Sequence, residues 1–167
     1  MNKTVIYPGT FDPITYGHLD IIERAAYVFD KVIVSIINKP SKSNFLFSVE
    51  ERLNMVKQAV ECFDNVEIDI FEGLLVEYAQ NKNVNLVVRG LRAITDFEYE
   101  FQMALTNKKI AHNVETIFMM TNEKFSYLSS SVVKEIAGYG GNISEFVPDF
   151  IVEKLKQKLS ATYKSPS

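Results

Sequence analysis

Short runs rich in valine and isoleucine recur along this chain at intervals, and a helical stretch separates each from the next. Residues 4–7, 32–37, 66–70, 86–88 and 116–120 read as strands, because β-branched side chains fit a pleated, buried backbone. After the first run Leu19, Ile22, Ala26 and Phe29 repeat at helical spacing; after the second, Val49, Leu53, Val56 and Val60 do so. Strands joined through helices pair in parallel, with the helices packed on the sheet faces. The runs are continuously apolar with little alternation, which agrees with burial on both sides. The expected fold class is α/β, a doubly wound five-stranded parallel sheet. The 167 residues suit one domain, placed at 1–160, with a last helix led by Pro148 and a flexible tail at 161–167.

Composition narrows the function classes. An apolar content of 47%, with 12% aromatic residues, is enough for a sizeable core and excludes intrinsic disorder. With 18 Lys and Arg against 21 Asp and Glu, the net charge is -3. Such a chain has no extended basic surface, so neither nucleic acid nor a membrane is expected as a partner. Cys62 is the single cysteine and His18 and His112 the only histidines, which excludes an internal disulfide and a cysteine-based zinc site. No apolar run approaches a membrane span, and Pro8, Gly9 and Pro13 interrupt the start of the chain where a leader would need an apolar stretch. A cytoplasmic protein is expected.

Two helix starts read as capping boxes, Ser48 with Glu51 and Thr95 with Glu98. In open parallel sheets ligands bind beyond the carboxyl ends of the strands, near the switch point, so the loops after each strand carry the chemistry. Neither G-x-G-x-x-G nor G-x-x-x-x-G-K-[ST] stands there, which argues against a dehydrogenase or a P-loop enzyme. Gly138, Gly140 and Gly141 read as a helix stop and turn.

The first run leads straight into Y-P-G-T-F-D-P-I-T-Y-G-H at 7–18, where helical spacing begins. Gly9 and Gly17 permit close backbone approach, Thr15 can cap the helix, and His18 falls in its first turn. Free amides and the positive dipole end make this junction an anion site, and the dipole favours a neutral imidazole that still donates to a phosphate oxygen. A Gly-His pair alone is most often an incidental surface feature; its place in the first βα turn gives it weight. Ser129, Ser130 and Ser131 precede a helical run at 132–137 and serve equally as an N-cap or as a second phosphate nest. Lys42, in the polar loop after the second strand, and Arg89 with Arg92, after the fourth, are cations near strand carboxyl ends, suited to clamping phosphates. Spacing does not separate Lys42 from Lys39, and solvation explains both. Glu98 and Glu100 fit ordinary first-turn acids, His112 a C-terminal dipole partner and Leu75 a helix-core residue.

Thr15-Tyr16-Gly17-His18 resembles the T/H-x-G-H motif of the nucleotidyltransferase superfamily. The wider string at 7–15, R-G-L-R-A at 89–93, D-F-E-Y-E at 96–100 and S-S-S-V-V-K-E at 129–135 occur in one order, nearly end to end. Together they resemble the bacterial phosphopantetheine adenylyltransferases. In the superfamily's second motif, I-S-S-T/S-x-x-R/K, this chain has Leu128 first and Lys134 last; lysine keeps the charge without the guanidinium fork.

The resemblance implies a Rossmann-like nucleotidyltransferase fold and the conversion of ATP and 4'-phosphopantetheine to dephospho-coenzyme A and pyrophosphate. It implies catalytic roles for His18, Lys42 and Arg89, and an acceptor site formed by Thr10, Lys42, Leu75 and Arg89. For ATP it implies Thr10, Phe11, His18, Gly90, Leu91, Arg92 and Glu100, then Phe125, Ser126, Tyr127, Leu128, Ser129, Ser130 and Ser131. Mg²⁺ is expected through the ATP phosphates, with no protein residue as a ligand, because the chain shows no dense carboxylate cage. A homohexamer and feedback by coenzyme A are also implied. Two other readings stay open on residues alone: a nucleotidyltransferase for another phosphomonoester such as nicotinamide mononucleotide, and a silent nucleotide-sensing module. R-G-L-R-A and D-F-E-Y-E argue against the first by resemblance, and an intact His18 and Lys42 argue against the second.

Overall fold

The structure is a computed structural model and describes residues 3–38, 45–92 and 94–163. Strand β1 (Thr4–Gly9) leads to α1 (Tyr16–Val28), β2 (Lys31–Ile37), α2 (Val49–Val60), β3 (Val66–Phe71) and α3 (Leu75–Asn81). Then follow β4 (Leu86–Leu91), α4 (Ile94–Ile110), β5 (Glu115–Met120), a single 3₁₀ turn at Glu123–Phe125, α5 (Ser130–Gly138) and α6 (Asp149–Tyr163). The sheet has five strands in the order β3-β2-β1-β4-β5, all parallel, as the apolar runs foretold. Val5 faces Val32 and Ile6 faces Val87, so β1 lies at the centre.

Because successive strand residues point to opposite faces, the core divides in two. Val5, Tyr7, Val32, Val34, Ile36 and Val88 meet Ile21, Ile22 and Ala25 of α1, Met55 and Val56 of α2, Val133 of α5 and Ile151 and Leu155 of α6. Ile6, Ile33 and Val87 meet Val76, Tyr78 and Ala79 of α3 with Ala111 and Val114 on the other face. The chain builds outward from β1 to β3, then crosses to β4 on the far side of β1. The switch point therefore lies between β1 and β4.

Several local expectations shift. Strand β4 runs on to Leu91, with Arg89 opposite Phe118 and Gly90 opposite Met119, so Arg89 is a strand residue and not part of the loop that follows. Backbone pairing with β5 is indifferent to side-chain charge and carries the strand through the arginine. Helix α4 starts at Ile94, which puts Thr95 inside the first turn, so the expected capping box does not form its start. The Ser48–Glu51 box is present: Glu51 N–H donates to Ser48 Oγ at 3.2 Å and Ser48 N–H to Glu51 Oε2 at 2.7 Å. Gly140 takes a left-handed φ of 75° just past α5, the helix stop read from the glycines. Helix α6 continues past residue 160 to Tyr163. Lys39, Lys42 and residues 164–167 lie outside the described residues. Among the described residues no helix is long and apolar enough to cross a membrane.

Candidate active site

A cavity of about 520 Å³ opens over the carboxyl ends of β1 and β4, at the switch point. Its floor is the end of β1 from Tyr7 to Gly9, with Thr10 beyond; Thr15, Gly17 and His18 at the start of α1 form one wall. Arg89, Gly90 and Arg92 come from β4 and its exit, Asp96, Tyr99 and Glu100 from α4, and Leu128 to Ser131 from the start of α5.

His18 is held as a hydrogen-bond donor of one defined tautomer. Thr15, the N-cap of α1, gives its backbone N–H to His18 Nδ1 at 3.0 Å. An imidazole nitrogen that accepts carries no proton, so the proton of the neutral ring sits on Nε2. Burial, reinforced by the nearby Arg92 and Arg89 guanidinium groups, lowers its pKa to about 4. Desolvation and two cations thus favour the neutral state beside the dipole invoked from sequence. Behind the ring stands Phe11, fully buried, edge-on to His18 at 5.1 Å between centroids. Phe11 has a left-handed φ of 49°, and a Cβ on Gly9 would meet its ring at 2.8 Å. Glycine at position 9 is what lets that ring lie under the imidazole.

The two arginines are braced by one face of α4. Arg89 donates from Nε to Glu100 Oε2 at 2.7 Å and from Nη2 to Oε1, a two-point pair, while Nη1 donates to the Pro8 carbonyl at 2.8 Å across the switch point. Arg92 donates from Nε and Nη2 to Asp96 at 2.9 and 3.3 Å, and from Nη1 to the Leu128 carbonyl at 3.0 Å. Asp96 and Glu100 are four residues apart and so share a helix face. Burial disfavours the Arg89 charge, but the Glu100 carboxylate outweighs it and raises its pKa. Both guanidinium groups are permanently charged and aimed without any ligand.

The start of α5 closes the site. Val132 N–H donates to the N-cap Ser129 Oγ at 3.2 Å, and Ser130 Oγ donates to the Pro13 carbonyl at 2.8 Å, tying α5 to the β1–α1 loop. Lys134 does not line the cavity: its Nζ lies 2.6 Å from Asp12 Oδ2, and Asp12 is 2% exposed. Asp12 also accepts from Leu46 N–H at 3.1 Å and Phe47 N–H at 2.9 Å. Arg52, fully buried, donates from Nη1 to the Thr10 carbonyl at 2.7 Å and the Ile37 carbonyl at 3.1 Å, and stacks on Phe45.

Of the residues expected at the site, Thr10, His18, Arg89, Gly90, Arg92, Glu100, Leu128 and Ser129 to Ser131 meet around this cavity. Phe11 and Leu91 are buried behind it, and Phe125, Ser126 and Tyr127 lie outside its lining. Leu75, at the start of α3, packs against the core of the other sheet face. Sequence reasoning missed Asp96, Thr121 and the buried Arg52. The i, i+4 spacing of Asp96 and Glu100 in D-F-E-Y-E is the signal that could have exposed the first. Among the described residues no group of His, Cys, Asp and Glu is arranged to hold a metal ion. The described residues present an array of fixed donors; the Thr15 hydroxyl, 3.0 Å from His18 Nδ1, is part of the helix cap, and the array suits binding and stabilising phosphoryl groups.

The cytidylyltransferase-like family model matches residues 6–136, spanning every wall of the cavity. A phosphopantetheine adenylyltransferase of Natranaerobius thermophilus is 60% identical over 91% of this chain and 96% of its own length. Another, of Caldanaerobacter subterraneus subsp. tengcongensis, is 56% identical over 93% of this chain and 97% of its own. This chain belongs to the phosphopantetheine adenylyltransferase family. Its membership makes it a nucleotidyltransferase, and the family's fold extends further than its sequences. The nicotinic acid mononucleotide adenylyltransferase of Plasmodium falciparum superposes with a TM-score of 0.68 over 94% of this chain and 96% of that one at 14% identity. At that identity the likeness bears on the Rossmann-like fold alone.

Proposed function

We propose that His18, Arg89, Arg92 and the start of α5 carry the adenylyl transfer from ATP to 4'-phosphopantetheine that yields dephospho-coenzyme A and pyrophosphate. The observation that carries this reading is the convergence of a neutral, Nε2-protonated His18, two braced guanidinium groups and a helix N-terminus on one cavity. An ionised oxygen of the acceptor phosphate attacks the α-phosphorus of ATP, and the bond to pyrophosphate breaks in line. The nucleophile is already deprotonated at neutral pH, so no general base is needed. His18 Nε2–H donates to the transferred phosphoryl group as its charge shifts. Arg89, with Lys42, orients the acceptor phosphate. Arg92 and Ser129 to Ser131 hold the leaving phosphates, and Thr10 stands between the two substrates. Leu75 faces the acceptor's arm in this reading. Gly90, Leu91, Glu100 and residues 125–128 surround the nucleotide, and Phe11 acts by supporting the imidazole.

Asp96 and Glu100, the carboxylates at the cavity, are both held by arginines, so the described residues do not fit a protein-bound Mg²⁺. Magnesium enters as part of the substrate, on the ATP phosphates, and no step runs through a metal held by the protein. Exposed apolar groups along α4, among them Phe97 at 43%, Phe101 at 46% and Leu105 at 57%, support self-association, taken here as a homohexamer. Coenzyme A contains both the phosphopantetheine and adenylate parts of the product, which supports its acting as a feedback ligand at the same cavity. ATP as substrate and an exposed thiol at Cys62 support a cytoplasmic location.

The test is an assay of the purified protein with Mg-ATP and 4'-phosphopantetheine, following pyrophosphate and dephospho-coenzyme A. Stoichiometric formation of both is expected. No product, alongside turnover of nicotinamide mononucleotide or another phosphomonoester, overturns the assignment.

A further inference from the structure

Tyr7 is 6% exposed and packs edge-on to Phe11 with ring centroids 5.7 Å apart, yet it lines the cavity. Its hydroxyl has no hydrogen-bond partner among the described residues. Nor is it sealed in the core, because the only fully enclosed side-chain polar atom without a partner among those residues is Arg52 Nε. The hydroxyl therefore opens on the cavity, where it is free to donate to an incoming acceptor atom. The surroundings describe what would satisfy it. A Cβ built on Gly90 would lie 3.1 Å from Ile21 Cγ1 and 3.7 Å from the hydroxyl, so glycine keeps the β4 backbone close beside the tyrosine oxygen at the cavity. Arg89, Arg92 and His18 line the same cavity, the two arginines paired to Glu100 and Asp96, so the group approaching the hydroxyl meets N–H donors on several sides.

We infer that the Tyr7 hydroxyl is a phosphate-binding group of the nucleotide site, donating a hydrogen bond to a non-bridging phosphate oxygen of bound ATP. Burial raises its pKa, with the two arginines opposing in part, so the hydroxyl keeps its proton and remains a donor throughout the neutral range. A neutral donor at the cavity floor adds a bond to the anion without a further charge to desolvate. The inference rests on the nucleotide-binding reading above and adds to it a binding residue for phosphate.

The experiment compares the wild type with Tyr7→Phe, which removes one oxygen and keeps the ring against Phe11. Binding of a non-hydrolysable ATP analogue, pyrophosphate and adenosine is measured by calorimetry, with kcat and KM for ATP. Expected are an about ten-fold weaker affinity for the analogue, the low end for a hydrogen bond to a charged group, a matching loss for pyrophosphate and unchanged adenosine binding. Equal affinity of the two proteins for the analogue, or an equal loss for adenosine, overturns the inference. As a second readout, 3-fluorotyrosine at position 7 should show a ¹⁹F shift with pyrophosphate and none with adenosine; no shift with pyrophosphate also overturns it. If the wild type itself binds no ATP analogue, the nucleotide reading fails along with the inference. A normal wild type beside an unaffected Tyr7→Phe sinks the Tyr7 role alone.

Discussion

Thr15 gives its backbone N–H to His18 Nδ1 over 3.0 Å, and that bond makes the imidazole a donor through Nε2 alone. The chain that caps helix α1 and the group that faces the cavity are therefore one piece of structure. His18 needs no carboxylate partner to choose its tautomer, because the backbone N–H of the helix N-cap three residues before it chooses it.

His18→Ala should lower kcat by about 10²–10³, the range for loss of one fixed donor to a transition state, with ATP affinity little changed. Loss of ATP binding without a separate fall in kcat would place His18 in recognition instead. The pH dependence has a definite sign. With the folded pKa near 4 and the ordinary value 6.5, the unfolded chain takes up the extra proton first. The stability linked to His18 is thus complete above about 6.5 and is lost as pH falls toward 4. Chemical denaturation between pH 4 and 7 should show stability rising with pH, and His18→Asn should flatten that part of the slope.

Glu100→Gln removes the carboxylate that holds Arg89 by two bonds while keeping its shape. Arg89 retains its bond to the Pro8 carbonyl but loses its fixed plane. Expected are a stability loss of about 2 kcal/mol, less than for a fully sealed pair, and a ten-fold or greater fall in kcat/KM. Steady-state kinetics with each substrate varied in turn checks it; unchanged kcat/KM for both would show that the brace is dispensable.

Lys134→Met leaves Asp12, at a site 2% exposed, with two backbone N–H donors and no bonded cation, the Arg52 guanidinium acting on it only through space. The expected result is destabilisation by about 3 kcal/mol, read by urea unfolding, with KM for ATP within about two-fold of the wild type. A large rise in KM without loss of stability would put the ammonium on the nucleotide.

The sheet was legible in the residues because burial on both faces leaves continuous apolar runs, and His18 because helical spacing starts just before it. The Ser48–Glu51 box was legible for a similar reason, as its bonds span three residues. The Thr95–Glu98 spacing does not mark the start of α4, because local spacing cannot say where a preceding strand hands over to its helix. Arg52 could not be placed from its neighbours: it occupies the inner face of α2 because the Thr10 and Ile37 carbonyls at two strand ends await donors there. Charge usually marks solvent, so the sequence alone points Arg89 to a loop, whereas pairing with β5 holds it in the strand.

What this sequence determined by itself is the parallel sheet, the number of strands and the histidine at the first turn, all set by periodicities and caps that act over a few residues. Only the tertiary structure decided what each charged group does. Arg89 reaches a carbonyl 81 residues away and Lys134 a carboxylate 122 residues away, so their roles depend on strand order and helix packing. Desolvation follows the same logic: the low pKa of His18 comes from neighbours that only the closed fold assembles.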